Sequence, residues 1–340
     1  MKAIVKTKEG AGNITYKEVG IPQVGQDEVL IKVSAAGICG TDLKIHQGTY
    51  DCNPPVILGH EYSGTIEAVG AKVSHFFPGD RVVSEIARKV CGRCQYCMSG
   101  NYLMCPERQS IGYGVNGAMA EYIVVREEIV HRIPDSLSME EAALCEPAAV
   151  AFHAVFDYAE IKPFHNVVVI GPGTIGQLVA QIVKSAGAKV ILAGTSKDKY
   201  RLEIAKKLGI ETVVSDEVDF DQYIAKETGG SLADYSFDCS GAEGGIRQGI
   251  DCLKPKGILV QAGLPKENLT IPYGKIPMKE LQIKGAFGHI NSSWCGVLKM
   301  LENKKISVLP LITHRYPMSD WEIAFNQAMT LESVKVLLHP

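Results

Sequence analysis

The segment from Asn166 to Ala186 constrains the fold most, because it joins an apolar run, a glycine-rich turn and a helical pattern. The run Asn166-Val-Val-Val-Ile170 is typical of a strand buried on both faces. It leads directly into the turn Gly171-Pro-Gly-Thr-Ile-Gly176, after which apolar residues recur at helical spacing. A strand, a glycine turn and a helix in that order are the context that a dinucleotide site requires.

Each glycine of this turn has a predicted role. The first permits a tight turn, the second lets the backbone approach a pyrophosphate, and the third lets helix and strand pack closely. The first helical turn then offers backbone N–H groups to phosphate. The predicted cofactor-binding residues of the turn are Gly171, Gly173, Thr174, Ile175 and Gly176. A glycine-rich turn without a ligand is the alternative.

Strand and helix patterns alternate after this turn as far as about residue 286, which predicts a doubly wound parallel sheet. Before it, short alternating runs such as Val29-Leu-Ile-Lys-Val33 predict a mainly β domain. We expect both ends of the chain to lie in that β domain, so that the nucleotide domain is an insertion. The predicted boundaries are 1–148 with 287–340 for the β domain and 149–286 for the nucleotide domain.

Charge and hydropathy narrow the possible partners. The chain has 340 residues, with 35 Lys and Arg against 38 Asp and Glu, so no basic excess indicates nucleic acid or an anionic membrane. It contains no run of 18 apolar residues, and its N-terminus lacks the apolar core of a signal peptide. We therefore expect a cytoplasmic protein with small-molecule partners.

A cysteine-rich loop lies within about residues 88–108 and carries the strongest local motif. Its cysteines follow a Cys-x-x-Cys-x-x-Cys-x7-Cys pattern: Cys91, Cys94, Cys97 and Cys105. Four thiolates at this spacing can close a tetrahedral zinc shell with no open position, so the predicted zinc is structural. An iron–sulfur cluster is the alternative, since its ligands also come in closely spaced cysteine runs.

A second set of metal-ligating residues is dispersed along the β domain. One thiol, one imidazole and two carboxylates, from Cys39, His60, Glu61 and Glu146, could converge on one ion. Such ligands suit zinc, and three protein ligands with an open fourth position are how zinc is held when it takes part in chemistry. Taken singly, His60 is also consistent with a satisfied core histidine and Cys39 with a small buried apolar residue.

Taken together, these motifs resemble the zinc-containing medium-chain dehydrogenases, the alcohol, polyol and threonine dehydrogenase family, along essentially the whole chain. The segments that carry the resemblance are GICGTD, GHEYSGTIEAVG, PGDRV, the four-cysteine loop, GPGTIG and the terminal KVLL. The resemblance implies a GroES-like β domain with an inserted Rossmann domain. Glu146, within Cys-Glu-Pro-Ala-Ala-Val, resembles the sorbitol or polyol branch.

The resemblance also implies residue roles. Catalytic zinc is expected at Cys39 and His60 with Glu61 or Glu146, and Glu61 is expected either to ligate the metal or to lie behind it. Thr41 matches the hydroxyl that takes the alcohol proton, and Asp42 is expected to orient a ligand. Lys335 corresponds to a basic residue that touches cofactor phosphate. The family's relay histidine is replaced by Lys44, with His46 two residues further on, so water is an alternative outer relay.

Cofactor choice depends on the end of the second Rossmann strand. NAD-selective members carry an acidic residue there, whereas this chain has Gly194, followed by Thr195, Ser196 and Lys197. These residues and Arg201 could bond or neutralise a 2′-phosphate. The sequence therefore predicts NADP in preference to NAD.

The main functional hypothesis is a zinc-dependent oxidoreductase that transfers hydride between the secondary hydroxyl of a polyol or small alcohol and a nicotinamide cofactor. A threonine-type amino-alcohol dehydrogenase is the alternative within the same enzyme class. A non-catalytic nucleotide-binding protein is the alternative outside it, although the retained zinc-ligand set argues against that. From the resemblance we also expect a homodimer or homotetramer.

Overall fold

The computed structural model describes residues 1–265 and 268–340, which form two compact units. The first unit comprises 1–146, 290–302 and 312–340, and the second comprises 147–289 and 303–311. These boundaries lie within a few residues of the predicted ones, apart from 303–311. That segment was predicted in the β domain but belongs to the second unit, where the Ser307 N–H donates to Gln181 Oε1 at 2.8 Å.

The strands and helices are numbered along the chain. The strands are β1 (Lys2–Lys6), β2 (Ile14–Glu18), β3 (Glu28–Gly37), β4 (Val56–Ile57), β5 (Glu61–Val69), β6 (Arg81–Ser84), β7 (Ala87–Lys89), β8 (Gln109–Ser110), β9 (Tyr122–Arg126), β10 (Val130–Arg132), β11 (Asn166–Ile170), β12 (Lys189–Gly194), β13 (Glu211–Val214), β14 (Ala233–Asp238), β15 (Leu253–Gln261), β16 (Gln282–Gly285), β17 (Ile312–Pro317) and β18 (Lys335–His339). The helices are α1 (Gly40–His46), α2 (Gln95–Met98), α3 (Met139–Ala142), α4 (Cys145–Phe156), α5 (Thr174–Ser185), α6 (Lys199–Lys207), α7 (Phe220–Glu227), α8 (Glu243–Asp251), α9 (Lys275–Met278), α10 (Asn291–Glu302) and α11 (Trp321–Ala328).

The first unit is built around a mainly antiparallel sheet with the order β10-β6-β5-β3-β18-β17, in which β9 also pairs with β3. Alternating apolar residues of β3, such as Val29, Ile31 and Val33, enter its core. Strand β18 lies beside β3, with Leu337 opposite Gly37. The C-terminal strand therefore lies next to the N-terminal β segment, as the sequence predicted.

The second unit contains a parallel sheet whose order, over the part of the chain that is described, is β13-β12-β11-β14-β15-β16. The order reverses at β11, the strand that precedes the glycine turn. Helices α5 and α8 pack on strands of this sheet, and Val168, Ile170 and Ile250 belong to one apolar cluster. The predicted combination of a mainly β domain and an inserted Rossmann domain is confirmed.

Among the described residues, every helix is too short or too polar to cross a bilayer.

Candidate active site

Cys39, His60 and Glu61 come together at one end of the β3 and β5 strands. Each offers one ligand atom, and these atoms all lie within 4.8 Å of one another. Cys39 is the N-cap of α1. Glu61 opens β5 directly after His60, and both side chains are buried. The N-cap of α1, the loop before β5 and the first residue of β5 therefore bring a thiol, an imidazole and a carboxylate together.

Glu61 is held by a lysine from the end of the chain. Lys335 Nζ contacts Glu61 Oε2 at 2.5 Å and also donates to the Ile38 carbonyl at 3.1 Å. The two side chains are only 3% and 1% exposed. Burial lowers the pKa of Lys335, but the charge of Glu61 and its hydrogen bond raise it above the ordinary value overall. The ammonium therefore stays charged, and it compensates a carboxylate that burial would otherwise destabilise.

The backbone beside this pair leaves room for the carboxylate. Gly37 is opposite Glu61 in the β3–β5 pairing, and a Cβ on Gly37 would lie 2.3 Å from Glu61 Oε2. Real side chains do not tolerate such a distance. A side chain at position 37 would therefore displace the Glu61 carboxylate from its contact with Lys335.

Asp42 forms hydrogen bonds with both of the loops that carry Cys39 and His60. Its Oδ2 accepts a hydrogen bond from the Cys39 N–H at 2.9 Å, and its Oδ1 accepts one from the Gly59 N–H at 3.2 Å. Asp42 is fully buried, and this burial raises the pKa of its carboxyl group. These two hydrogen bonds hold the backbone on either side of the cluster, and the orienting role that the resemblance implies for Asp42 stays a prediction.

The groups around His60 create a negative environment that suits a bound cation. Burial alone would lower the pKa of His60, but the Cys39 thiol and the carboxylates of Asp42 and Glu146 raise it well above the ordinary value. His60 Nδ1 is buried and has no hydrogen-bond partner among the described residues. Buried polar atoms are normally satisfied, so an imidazole in this state fits a ligand-binding role. A sulfur, nitrogen and oxygen donor set around it fits zinc.

Glu146 and Thr41 lie at the border of the cluster. Glu146 is the second residue of α4 and is buried, and burial raises the pKa of its carboxyl group to about 7. The charges of His60 and Glu61 influence that pKa, yet the Glu146 carboxylate is outside the group within 4.8 Å. Thr41 is in the first turn of α1, two residues after Cys39, and is partly exposed.

The cysteine-rich loop forms a second, separate cluster. The ligand atoms of Cys91, Cys94, Cys97 and Cys105 also lie within 4.8 Å of one another. The Cys91 sulfur accepts a hydrogen bond from the Cys94 N–H at 3.3 Å, and hydrogen bonds from the backbone at Arg93 and Cys94 lower the pKa of the Cys91 thiol to about 6. The four free thiols of this loop therefore lie close enough together to hold one metal ion with an all-sulfur shell.

In the second unit the glycine turn has the geometry that a phosphate needs. Gly171 has φ +96°, a conformation that favours glycine. A Cβ on Gly176 would lie 1.9 Å from the Gly171 carbonyl oxygen, so α5 can approach β11 only with glycine there. A Cβ on Gly173 would meet no atom within 4 Å. The backbone at Gly173, the N-cap of α5, therefore faces open space, as pyrophosphate binding requires.

Two acids that no sequence motif indicated as site residues, Asp198 after β12 and Asp216 after β13, accept hydrogen bonds from the loop that follows β12. Asp198 Oδ2 accepts hydrogen bonds from the Thr195 N–H at 2.9 Å and from its hydroxyl at 2.8 Å. Asp216 accepts the Ser196 N–H at 2.6 Å and the Ser196 hydroxyl at 2.7 Å. Arg201 Nη1 is 3.8 Å from Asp198 Oδ1, and Lys197 is exposed. A Thr-x-x-Asp capping box predicts the first of these contacts.

Two family models match this chain. Residues 25–135 match the family described as the alcohol dehydrogenase GroES-like domain, and residues 174–303 match the family described as zinc-binding dehydrogenase. The chain belongs to the zinc-type medium-chain alcohol and polyol dehydrogenase family. The first match contains Cys39, His60, Glu61 and the four-cysteine loop, and the second begins at the helix after the glycine turn.

Individual relatives extend over the full length of this dehydrogenase. It is 39% identical over 342 residues to the sorbitol dehydrogenase of Halalkalibacterium halodurans, covering 100% of this chain and 99% of the relative. It is 36% identical over 342 residues to the D-arabitol-phosphate dehydrogenase of Enterococcus avium, covering 99% and 97%. A solved structure from Sinorhizobium meliloti, with bound NADP, has a TM-score of 0.92 and 32% identity, covering 100% and 99%.

Two residues of this dehydrogenase lie in surroundings that the sequence did not indicate. Lys335, predicted to contact cofactor phosphate, has its ammonium group on Glu61, and the phosphate contact stays a prediction. His46, considered for an outer proton relay, lies edge-on to Trp321 and Phe325, with ring centroids 6.3 and 5.8 Å away. Neither contact follows from local spacing, because each partner lies more than 270 positions along the chain.

Proposed function

We propose that this dehydrogenase oxidises the secondary hydroxyl of a polyol, or of a related small alcohol, by hydride transfer to NADP in preference to NAD. The observation that carries the proposal is the group of half-buried Cys39 and buried His60 and Glu61, whose ligand atoms lie within 4.8 Å of one another. A Lewis acid beside the hydroxyl makes alcohol oxidation accessible at neutral pH, and among the described residues this mixed donor set suits an open zinc site.

Cys39, His60 and Glu61 would hold the catalytic zinc, and the closeness of Glu61 favours it over Glu146 as the third ligand. When bound, such a zinc lowers the pKa of a hydroxyl group beside it and so makes alcohol oxidation accessible near neutrality. Asp42 fixes the backbone at Cys39 and Gly59 through hydrogen bonds, and Lys335 holds the Glu61 carboxylate. Thr41, at the exposed side of α1, is the proposed acceptor of the substrate hydroxyl proton.

A substrate panel tests the reaction. We expect kcat/KM for sorbitol, arabitol or a phosphorylated polyol to exceed that for threonine by at least about tenfold, which corresponds to about 1.4 kcal/mol of transition-state binding. The sorbitol and arabitol-phosphate dehydrogenase relatives support this ranking. Diols belong in the same panel, since a neighbouring hydroxyl can enter a five-coordinate zinc shell. Faster oxidation of threonine would favour the amino-alcohol alternative, and failure to oxidise every polyol and secondary alcohol would refute the proposal.

A comparison of NADP with NAD tests the proposed cofactor preference. We expect kcat/KM with NADP to exceed that with NAD by about tenfold, because Gly194 places no carboxylate against a 2′-phosphate. A Cβ at Gly194 would lie 2.8 Å from Pro172 Cγ and 3.0 Å from Asp198 Cβ, so the loop has no space for an acid at that position. The measurement is the initial rate with each cofactor at saturating polyol. A preference for NAD would contradict this part of the proposal and leave the polyol reaction standing.

A further inference from the structure

Asp216 occupies hydrogen-bond donors that the proposed cofactor needs. It follows β13, the strand next to β12, with Val214 opposite Gly194. The carboxyl ends of neighbouring parallel strands meet at one edge of a sheet, and this juxtaposition brings Asp216 to Ser196. Its two carboxylate oxygens accept the Ser196 N–H at 2.6 Å and the Ser196 hydroxyl at 2.7 Å. Both donors of Ser196 are therefore in use.

We propose that Asp216 is a specificity-determining residue that competes with the 2′-phosphate of NADP for Ser196 and so limits the preference for NADP over NAD. The inference rests on the proposed function, in that the loop after β12 receives the adenosine ribose of a nicotinamide cofactor. A phosphate oxygen and a carboxylate oxygen seek the same N–H and O–H donors. Because both are anions, they cannot share Ser196 without mutual repulsion.

The surroundings of Asp216 do not cancel its charge at this point. The hydrogen bond from Ser196 is the main cause of a lowered pKa for Asp216, so the carboxylate is ionised at neutral pH. The nearby Lys199 pairs with Glu217, with Nζ 2.6 Å from Oε1. Arg201 lies beside a different carboxylate, that of Asp198. A 2′-phosphate that enters the loop therefore meets the Asp216 charge directly.

Cofactor binding measured without substrate tests the inference. NADPH and NADH are titrated separately into the zinc-loaded wild type and into Asp216→Asn, following nicotinamide fluorescence. We expect the variant to bind NADPH about tenfold more tightly and NADH within about twofold of wild type, since one competing charge-assisted interaction is lost. Asp221→Asn is the matched control. It makes the same chemical change at an exposed aspartate of α7 that does not contact Ser196, and we expect an unchanged ratio of NADPH to NADH affinity.

The outcomes separate this inference from the proposed function. An equal gain in NADPH affinity in Asp221→Asn would show a general charge effect and overturn the competition at Ser196. An unchanged affinity ratio in Asp216→Asn, with thermal unfolding as in wild type, would overturn it too. The substrate panel does not enter this measurement, so a protein that oxidises no polyol can still show the expected shift. A wild type that prefers NAD but shows the shift would refute the NADP preference and support the role of Asp216.

Discussion

Replacing His60 with alanine will abolish alcohol oxidation while leaving nicotinamide cofactor binding within about twofold of wild type. His60 is buried between Cys39 and Glu61, and its loss leaves two donors where an open zinc site uses three. A Lewis acid supplies several kcal/mol of transition-state stabilisation, so we expect kcat/KM to fall by at least about 1000-fold. Apart from the contact of Lys335, the predicted phosphate and ribose contacts lie in the second unit, so we expect the affinity for NADPH to stay near that of wild type.

The zinc content of His60→Ala shows whether its loss of activity comes from loss of the catalytic metal. We expect about two zinc ions per chain in the wild type and about one in His60→Ala, because the all-sulfur loop keeps its own ion. His75→Ala is the control, since His75 is an exposed histidine of the same unit and lies outside both clusters. A His60→Ala protein that still oxidises polyols, or that keeps the wild-type zinc content, would show that the cluster is not the catalytic metal site.

Replacing Cys94 with serine will destabilise the protein through the cysteine-rich loop. The four sulfurs converge within 4.8 Å, and metal binding to such a closed shell contributes folding free energy. A loss of about 3 kcal/mol lowers Tm by roughly 10 °C in a unit of this size. Thermal unfolding followed by circular dichroism, with zinc analysis of the same samples, measures both effects.

Cys295→Ser is the matched control for this substitution. Cys295 is a free, exposed cysteine outside the four-sulfur group, so the same chemical change there should leave Tm and zinc content near wild type. The structural role of the loop would be refuted by normal stability in Cys94→Ser together with only one zinc per chain in the wild type. Iron with a visible charge-transfer absorption would instead support the iron–sulfur alternative.

The sequence alone predicts a structural feature correctly where the interacting residues are close together in the chain. The Cys-x-x-Cys-x-x-Cys-x7-Cys spacing places four sulfurs in one loop, and the structure brings them together. The glycine turn is similar, because the φ of Gly171 and the close approach at Gly176 are properties of one short segment. Ser138 is a third local case, because a serine three residues before a glutamate is typical of a helix N-cap, and its hydroxyl accepts the Glu141 N–H at 3.2 Å.

The sequence by itself determined the two domain types, the metal-ligand residue types and the dinucleotide turn, because each depends on periodicity or spacing within a few residues. Only the tertiary structure decided which carboxylate joins Cys39 and His60, and that Lys335 neutralises Glu61. That pair forms because β18, from the end of the chain, hydrogen-bonds to β3 beside β5. The contact between Ser196 and Asp216 has the same origin, since it depends on which strands are neighbours in the sheet. Strand order is set by long-range packing and backbone pairing, which no local pattern encodes.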